Sequence, residues 1–225
     1  MKRKIIISGL ICLTIAFTIG LFLCNKANSY SQKSMKIINQ LGVYGFLDDL
    51  TGSEIDEVLD YIEKNPDKVS PWKYALISDY IYKYKKDERK AVQYYYRGLI
   101  RIQEDVKMCK SPYANTFKHL IDNELEITPI IRIKIAMKNP WDIYNIYMNE
   151  LKWDEMNKRF SNPYWACEII DDSEKEPISN YQTILNKYRT NMRSMTMWQE
   201  NIKELSDDIK ENKAQYDKMI QDYLK

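Results

Sequence analysis

Apolar residues recur along most of this chain at spacings of three and four, the period of one face of an α-helix. One such face follows Thr51 and Glu54, whose spacing predicts a capped helix start. No segment alternates apolar and polar residues over a useful length, so strands are not indicated. The pattern therefore predicts an all-α fold. The apolar face that follows Glu54 consists of Ile55, Val58, Leu59 and Ile62.

Seven prolines divide the chain, and each follows a residue suited to a helix boundary. Proline is tolerated at the first helical position because its missing N–H would be unpaired there, and Ser, Thr or Asn just before it caps the same turn. Asn65-Pro66 is predicted to end a helix. The predicted helix starts are Ser70-Pro71, Ser111-Pro112, Thr128-Pro129, Asn139-Pro140, Asn162-Pro163 and Glu176-Pro177.

The most specific local pattern lies between residues 70 and 106. Ala91, Tyr95 and Gly98 follow a small-x3-aromatic-x2-small spacing, which resembles that of tetratricopeptide-type helical hairpins. In that pattern the small residues permit close helix approach. The resemblance implies an array of antiparallel helical hairpins, which we assign to residues 30–167.

The first helix of this hairpin departs from the tetratricopeptide pattern, because Ala75, Ser78 and Asp79 stand where Trp, Leu and Gly are usual. The same stretch also resembles an uncharacterised group of bacterial exported helical proteins, and that resemblance implies no activity. The segments that carry it are Asn65-Pro66, Asp87 to Ala91, and Tyr95 to Gly98.

The C-terminal stretch contains no Pro or Gly from Ile178 onward, and steps of four and three from Tyr181 meet apolar residues at most positions. We predict one long helix over residues 178–225, or two in series that break near Ser206, packed along the array as its closing element. A coiled-coil or groove-filling helix for a partner is the alternative. The acidic residues 168–177 are predicted to form a solvated linker.

The N-terminus places three basic residues, at positions 2–4, before an uncharged apolar run over residues 5–24. A basic patch stays in the cytoplasm while an apolar run enters the membrane, so the rest of the chain is expected on the far side. Residues 1–29 are predicted to be a signal peptide cleaved near Ser29 or an uncleaved membrane anchor. A lipidated Cys24 is disfavoured because Leu23 precedes it. The predicted location is the bacterial cell envelope, on the periplasmic or extracytoplasmic side of the inner membrane.

Charge and composition exclude several classes of partner. Without the three basic residues at positions 2–4, the chain keeps 31 of its 34 Lys and Arg against 32 Asp and Glu, so no basic field exists to attract nucleic acid. His119 is the only histidine, and no glycine-rich phosphate loop occurs after residue 29. We therefore predict no metal, no cofactor and no nucleic-acid partner.

Cys109 and Cys167 could form one disulfide in an oxidising compartment. Two buried free thiols are the alternative, because spacing along the chain cannot place the two Cα atoms.

Tyrosines and basic residues alternate around the second helix of the predicted hairpin. Tyr94, Arg97 and Arg101 lie three and four residues apart and therefore share one helix face. Tyr and Arg dominate interface hot spots, so this face is predicted to bind another protein, and an acidic partner is one version of that prediction. The alternative places Tyr80, Tyr95 and Leu99 in the core and leaves the other side chains as a solvated face.

These observations predict an envelope protein-binding module without catalytic activity, in one version an immunity protein that neutralises a secreted toxin. An envelope scaffold or assembly factor is one alternative. A carboxylate-dependent cell-wall hydrolase is the other, with Asp142 and Glu150 or Asp154 and Glu155 as acid and base.

Overall fold

The computed structural model describes residues 31–39, 50–109, 123, 125–160, 165–170 and 181–224. All regular structure in these ranges is helical, which confirms the all-α prediction. A 3₁₀ turn at Val106–Met108 follows the fourth helix. The helices are α1 (31–39), α2 (Gly52–Lys64), α3 (Pro71–Lys85), α4 (Glu88–Asp105), α5 (Thr128–Lys138), α6 (Trp141–Met156), α7 (Trp165–Ile170), α8 (Tyr181–Met192), α9 (Met195–Glu211) and α10 (Lys213–Tyr223).

The predicted membrane-entering segment lies outside the described residues. Within those ranges, no helix is both long enough and apolar enough to span a bilayer. Three predicted helix starts, at Pro112, Pro163 and Pro177, and most of the predicted acidic linker also lie outside the described residues. The first residues of that linker are helical, because α7 continues through Ile170.

Local signals set the ends of the first helices. The Thr51 hydroxyl accepts from the Glu54 backbone N–H at 3.3 Å, and the Glu54 carboxylate accepts from the Thr51 N–H at 2.9 Å. This is the predicted capping box. Asn65 ends α2, and Pro71 is the first residue of α3 after Ser70.

Proline also lies at the starts of helices α5 and α6. Pro129 lies in the first turn of α5, and Pro140 directly precedes α6. The Asn139 side chain accepts from the Trp141 backbone N–H at 3.2 Å, which satisfies one of the unpaired donors at that helix start.

Helices α3 and α4 form a closely packed hairpin. A Cβ atom on Gly98 would lie 2.6 Å from the Ala75 backbone nitrogen and 2.9 Å from the Pro71 carbonyl oxygen. The two helices therefore approach too closely for any side chain at this position. Ala91 and Tyr95 of the same pattern are fully buried. The small-residue spacing thus marks a true close approach of two helices.

Ser78 and Asp79, which differ from the tetratricopeptide pattern, attach α5 to this hairpin. The buried Asp79 carboxylate accepts from the backbone N–H groups of Glu126 at 2.8 Å, Ile127 at 3.1 Å and Thr128 at 2.7 Å. Ser78 shares a hydrogen bond of 2.8 Å with the Thr128 hydroxyl. A side chain of α3 thus binds the unpaired donors at the start of α5.

The C-terminal region forms three helices, which corrects the prediction of one helix or of two with a break near Ser206. Ser206 lies inside α9, and the breaks fall at Ser194 and Asn212. Ser194 accepts from the Met197 N–H at 3.5 Å, and Asn212 donates to the Asp208 side chain at 2.8 Å. Short polar side chains compete with the helix backbone for hydrogen bonds and so favour such boundaries.

These three helices pack back onto the preceding helices. The apolar side chains of Leu185, Trp198, Ile202 and Ile209 are buried, and α9 and α10 both contact α5. Tyr82 of α3 donates to the Leu224 carbonyl at 3.2 Å. Helix α4 lies at the centre of the described fold, packed against α3, α5 and α6.

Candidate functional site

The C-terminal half of α4 borders two different environments. One is a cluster of buried and half-buried charges, which consists of Arg97, Arg101, Arg159 and Arg189 with Glu63, Glu104, Asp105, Glu150 and Asp154. The other is an open cleft with apolar walls. Both also receive side chains from α6 and α8, so these two helices connect the cluster to the cleft.

Arg97 joins three helices within the cluster. Its Nε donates to Glu150 at 2.8 Å, and its Nη1 donates to Glu63 at 2.6 Å. Tyr94 donates to the same Glu63 oxygen at 2.6 Å. The guanidinium also stacks on Trp153, with Cζ 3.8 Å from the ring centroid. Burial raises the pKa of Glu150, although the Arg97 charge opposes that rise.

Arg101 is enclosed completely. Its Nε donates to the Asp154 carboxylate at 2.6 Å. Its two terminal nitrogens donate to the backbone carbonyls of Pro66 and Lys158, each at 3.0 Å. The guanidinium lies 4.5 Å from the centroid of the Trp153 ring. Three of its N–H groups are therefore satisfied without water.

Two further arginines, Arg159 and Arg189, pair with the remaining carboxylates of the cluster. Arg189 of α8 donates to Glu104 at 2.7 Å and to Asp154 at 2.5 Å. Arg159 pairs with the same two carboxylates and with Asp105. Burial, reinforced by the Asp154 charge, raises the pKa of Glu104 to about 7, against the pull of Arg189 and Arg159. Burial also acts to raise the pKa of Asp154, but the charges of Arg159 and Arg101 outweigh it and hold that pKa low.

The predicted partner-binding residues all belong to this cluster. Tyr94, Arg97 and Arg101 share one face of α4, as their spacing indicates, and the structure brings them together. Their exposed fractions, however, are 1%, 7% and 0%. This corrects the expectation of an exposed patch, because complementary carboxylates and the Trp153 ring cover the face. A buried cation persists where such hydrogen-bonded partners compensate for its lost hydration.

The carboxylate pairs considered for hydrolysis are divided between the interior and the surface. Glu150 and Asp154 are buried and bound to arginines. Asp142 accepts from the Asn139 side chain at the start of α6, and the exposed Glu155 pairs with Arg193. Each pair therefore contains one carboxylate that is buried and bound to an arginine.

The second environment is a cleft of about 550 Å³, within the range of small-ligand sites. Helices α4, α6, α8 and α9 form its walls, with Arg132 from α5 and two residues of the 3₁₀ turn. Most of its lining is aromatic, aliphatic or Met. The lining residues are Tyr96, Ile102, Gln103, Val106, Lys107, Arg132, Ile143, Tyr147, Tyr188, Met192, Met197, Trp198, Asn201, Ile202 and Leu205.

A continuous row of aromatic rings leads from the surface into this cleft. Trp141, which is 36% exposed, contacts Tyr144 with ring centroids 5.6 Å apart. Tyr144 contacts Trp198 at 5.3 Å, and Trp198 contacts Tyr147 at 5.0 Å. Tyr96 follows at 5.4 Å from Tyr147. The cleft thus continues an aromatic surface that begins in solvent.

Hydrogen bonds fix the polar groups of the cleft. Tyr188 donates to the Gln103 side chain and lies 3.5 Å from the Tyr147 hydroxyl. Arg132 donates to the hydroxyls of Tyr96 at 3.1 Å and Tyr95 at 3.2 Å. Burial raises the pKa of Tyr188 to about 12, so its hydroxyl is protonated at neutral pH. The arrangement suits binding, since a phenol that stays protonated is a poor base.

Sequence reasoning did not identify this cleft, because its residues come from five helices and a turn that are far apart in the chain. Part of the signal was present. The steps of four and three from Tyr181 include Tyr188, Met192 and Ile202, which all line the cleft.

Cys109 and Cys167 are joined by a disulfide, with Cα atoms 5.4 Å apart. This is the first of the two alternatives that the sequence left open. The bond connects the end of the 3₁₀ turn to α7. Trp165 of α7 donates to the Asp105 carboxylate at 2.7 Å, which adds a second link at the same junction.

In the part of the chain that the structure describes, no group of three or more His, Cys, Asp or Glu side chains could hold a metal ion. His119 lies outside that part. Comparison of the chain with protein-family models, with curated proteins and with solved structures gave no match.

Proposed function

We propose that this chain is an extracytoplasmic protein-binding module without catalytic activity and that the aromatic cleft is its binding site. The observation that carries the proposal is the cleft itself, with Tyr, Trp and Met side chains on its walls and an aromatic row leading to its mouth. These residue types are enriched at protein interfaces, where a few large side chains supply most of the binding energy.

The buried charges support a role without catalysis. Arg101 and Arg189 both bind Asp154, and Arg97 binds Glu150. These groups hold helices α4, α6 and α8 together, and each is occupied by its partners. An acid–base catalyst needs a carboxyl group within hydrogen-bond reach of a substrate, and these carboxylates are enclosed.

The location outside the cytoplasm rests on two observations. The N-terminus has the basic-then-apolar pattern of an export segment. Disulfides such as Cys109–Cys167 persist in oxidising compartments and are rare in the cytosol.

The tetratricopeptide-like arrangement is part of the same proposal. The α3–α4 hairpin, with its close approach at Gly98, supports it. An array of such hairpins presents a concave surface that suits protein binding.

The test is affinity capture of the tagged full-length protein from its own cells, with Asn201 changed to Trp. Asn201 is exposed and lines the cleft, so the Asn201→Trp side chain would fill the mouth without disturbing the core. Gln199→Trp is the matched control, since Gln199 is exposed on the same helix and is not part of the lining. We expect one stoichiometric partner with the wild type and the control, and its loss with Asn201→Trp.

Equal capture by both variants would move the binding site away from the cleft. A wild-type protein that captures no partner under any growth condition would overturn the protein-binding role and favour a cell-wall substrate.

The narrower version, an immunity protein, makes a separate prediction. Deletion of the gene should sensitise cells to a toxin delivered by sibling cells, and the wild-type gene but not the Asn201→Trp gene should restore resistance. A partner that remains bound under all conditions, with no sensitivity to siblings, would instead favour the scaffold alternative.

A further inference from the structure

We infer that the cleft selects a segment of its protein partner that is apolar and carries a negative charge, with Lys107 as the group that recognises the charge. The inference rests on the proposed function and specifies the chemistry of the partner.

The charged residues among the described lining of the cleft are all positive. Among the described residues that line the cleft, Lys107 and Arg132 are cations and none is Asp or Glu. The walls between them are mostly apolar, so water screens these charges less than on an open surface. An apolar cleft that contains the Lys107 cation favours an apolar ligand of opposite charge.

Lys107 differs from the arginines of the adjoining cluster in the kind of partner it has. There, Arg101, Arg159 and Arg189 are matched by the carboxylates of the same cluster. Lys107 is half-buried, and its contact within the described structure is with the Tyr188 ring, 5.4 Å from Nζ to the centroid. A ring face attracts a cation more weakly than a carboxylate does. A carboxylate from outside would give Lys107 the stronger partner.

The segment that suits this cleft is a short apolar stretch with one acidic residue that reaches Lys107.

A matched pair of fluorescent probes tests the charge selection directly. The anion 8-anilinonaphthalene-1-sulfonate and the neutral N-phenyl-1-naphthylamine have the same ring system, with and without a sulfonate. Each would be titrated into the folded, disulfide-bonded protein. We expect the anion to bind about tenfold more tightly, as for a hydrogen bond to a charged group. Asn201→Trp should block both probes.

Lysine variants assign the preference to a residue. Lys107→Gln should remove most of the preference for the anion while leaving the neutral probe within about twofold, and Lys107→Arg should retain it. Lys152→Gln, on the exposed face of α6, is the control for loss of one positive charge. Circular dichroism melting would confirm that each variant is folded.

Displacement identifies the occupant. The capped peptide acetyl-Trp-Leu-Leu-Glu-amide should displace the anionic probe at lower concentration than its Gln counterpart. Displacement by decanoate but by neither peptide would overturn the peptide segment in favour of a lipid-like anion.

A failure of the charge selection can be told apart from a failure of the proposed function. Equal affinity for the two probes, both blocked by Asn201→Trp, would overturn the charge selection and leave the proposed binding site intact. Binding of neither probe, with partner capture unaffected by Asn201→Trp, would overturn the cleft as the site of the proposed function.

Discussion

The buried charge cluster and the aromatic cleft border the same half of α4 but satisfy their polar groups in opposite ways. In the cluster, Arg101 and Asp154 are fully buried and bind each other, and every arginine there has carboxylate partners. In the cleft, Lys107 contacts the Tyr188 ring and has no carboxylate partner among the described residues. Charged and aromatic residue types alone therefore do not reveal a binding surface. What separates a structural cluster from a binding site is whether the fold itself supplies the partners.

Removal of a cluster carboxylate is expected to have the largest effect. Asp154→Ala leaves Arg101 buried without a counter-charge and should lower the free energy of unfolding by about 3–5 kcal/mol. Urea denaturation measures the change. Glu155→Ala is the adjacent control, since the Glu155–Arg193 pair is exposed, and should cost under about 1 kcal/mol. Equal losses for the two variants would remove the distinction between the cluster and the surface.

Loss of the disulfide is expected to weaken both regions together. Cys109 follows the 3₁₀ turn that carries Lys107, and the bond closes a loop with a sequence separation of 58. Replacing Cys109 and Cys167 with Ser should lower the free energy of unfolding by about 4 kcal/mol, the loop-closure value for this length. Urea denaturation of the double variant and of the reduced wild type would measure it. Unchanged midpoints in both would show that the bond does not stabilise the junction.

The pH dependence of stability should show that burial disfavours the ionised form of Glu104 within the cluster. Its pKa is raised from 4.5 to about 7 in the folded protein, so between those values the folded state binds more protons than the unfolded state. Stability from this group is therefore present at low pH and declines as the pH rises from about 5 to 7.5. Glu104→Gln should reduce that decline by about 1–3 kcal/mol.

Urea midpoints of the wild type, Glu104→Gln and the exposed control Glu155→Gln across this pH range would measure the difference. An identical decline in all three proteins would contradict the raised pKa of Glu104.

The smallest effect on stability is expected in the cleft. Asn201→Trp and Gln199→Trp both alter exposed positions of α9 and should shift the free energy of unfolding by no more than about 0.5 kcal/mol. Thermal melting would check this. A large loss of stability for Asn201→Trp alone would mean that the cleft mouth is part of the packed core, and the contrast with the cluster would fail.

Much of the fold followed from local sequence. The capping box at Thr51 and the proline starts of α3 and α5 depend on residues within one or two turns. The small-residue spacing that ends at Gly98 indicated the close approach to α3, although the contact itself joins two helices. The breaks at Ser194 and Asn212 were missed, because isolated polar residues occur inside helices as well as at their ends.

The candidate site was predictable only in part. The spacing of Tyr94, Arg97 and Arg101 correctly placed them on one face of α4, but their carboxylate partners lie between 31 and 53 positions away. No local pattern could show that those partners would cover the face. The cleft combines side chains from five helices, so only their packing creates it.

Local sequence was enough to predict the all-α class, several helix starts and the small-residue spacing of α4, because these depend on backbone propensity and on residues at helical spacing. The tertiary structure alone decided which polar face is buried and where a concave surface opens. Those outcomes depend on long-range pairing of charges and on how helices distant in the chain pack together.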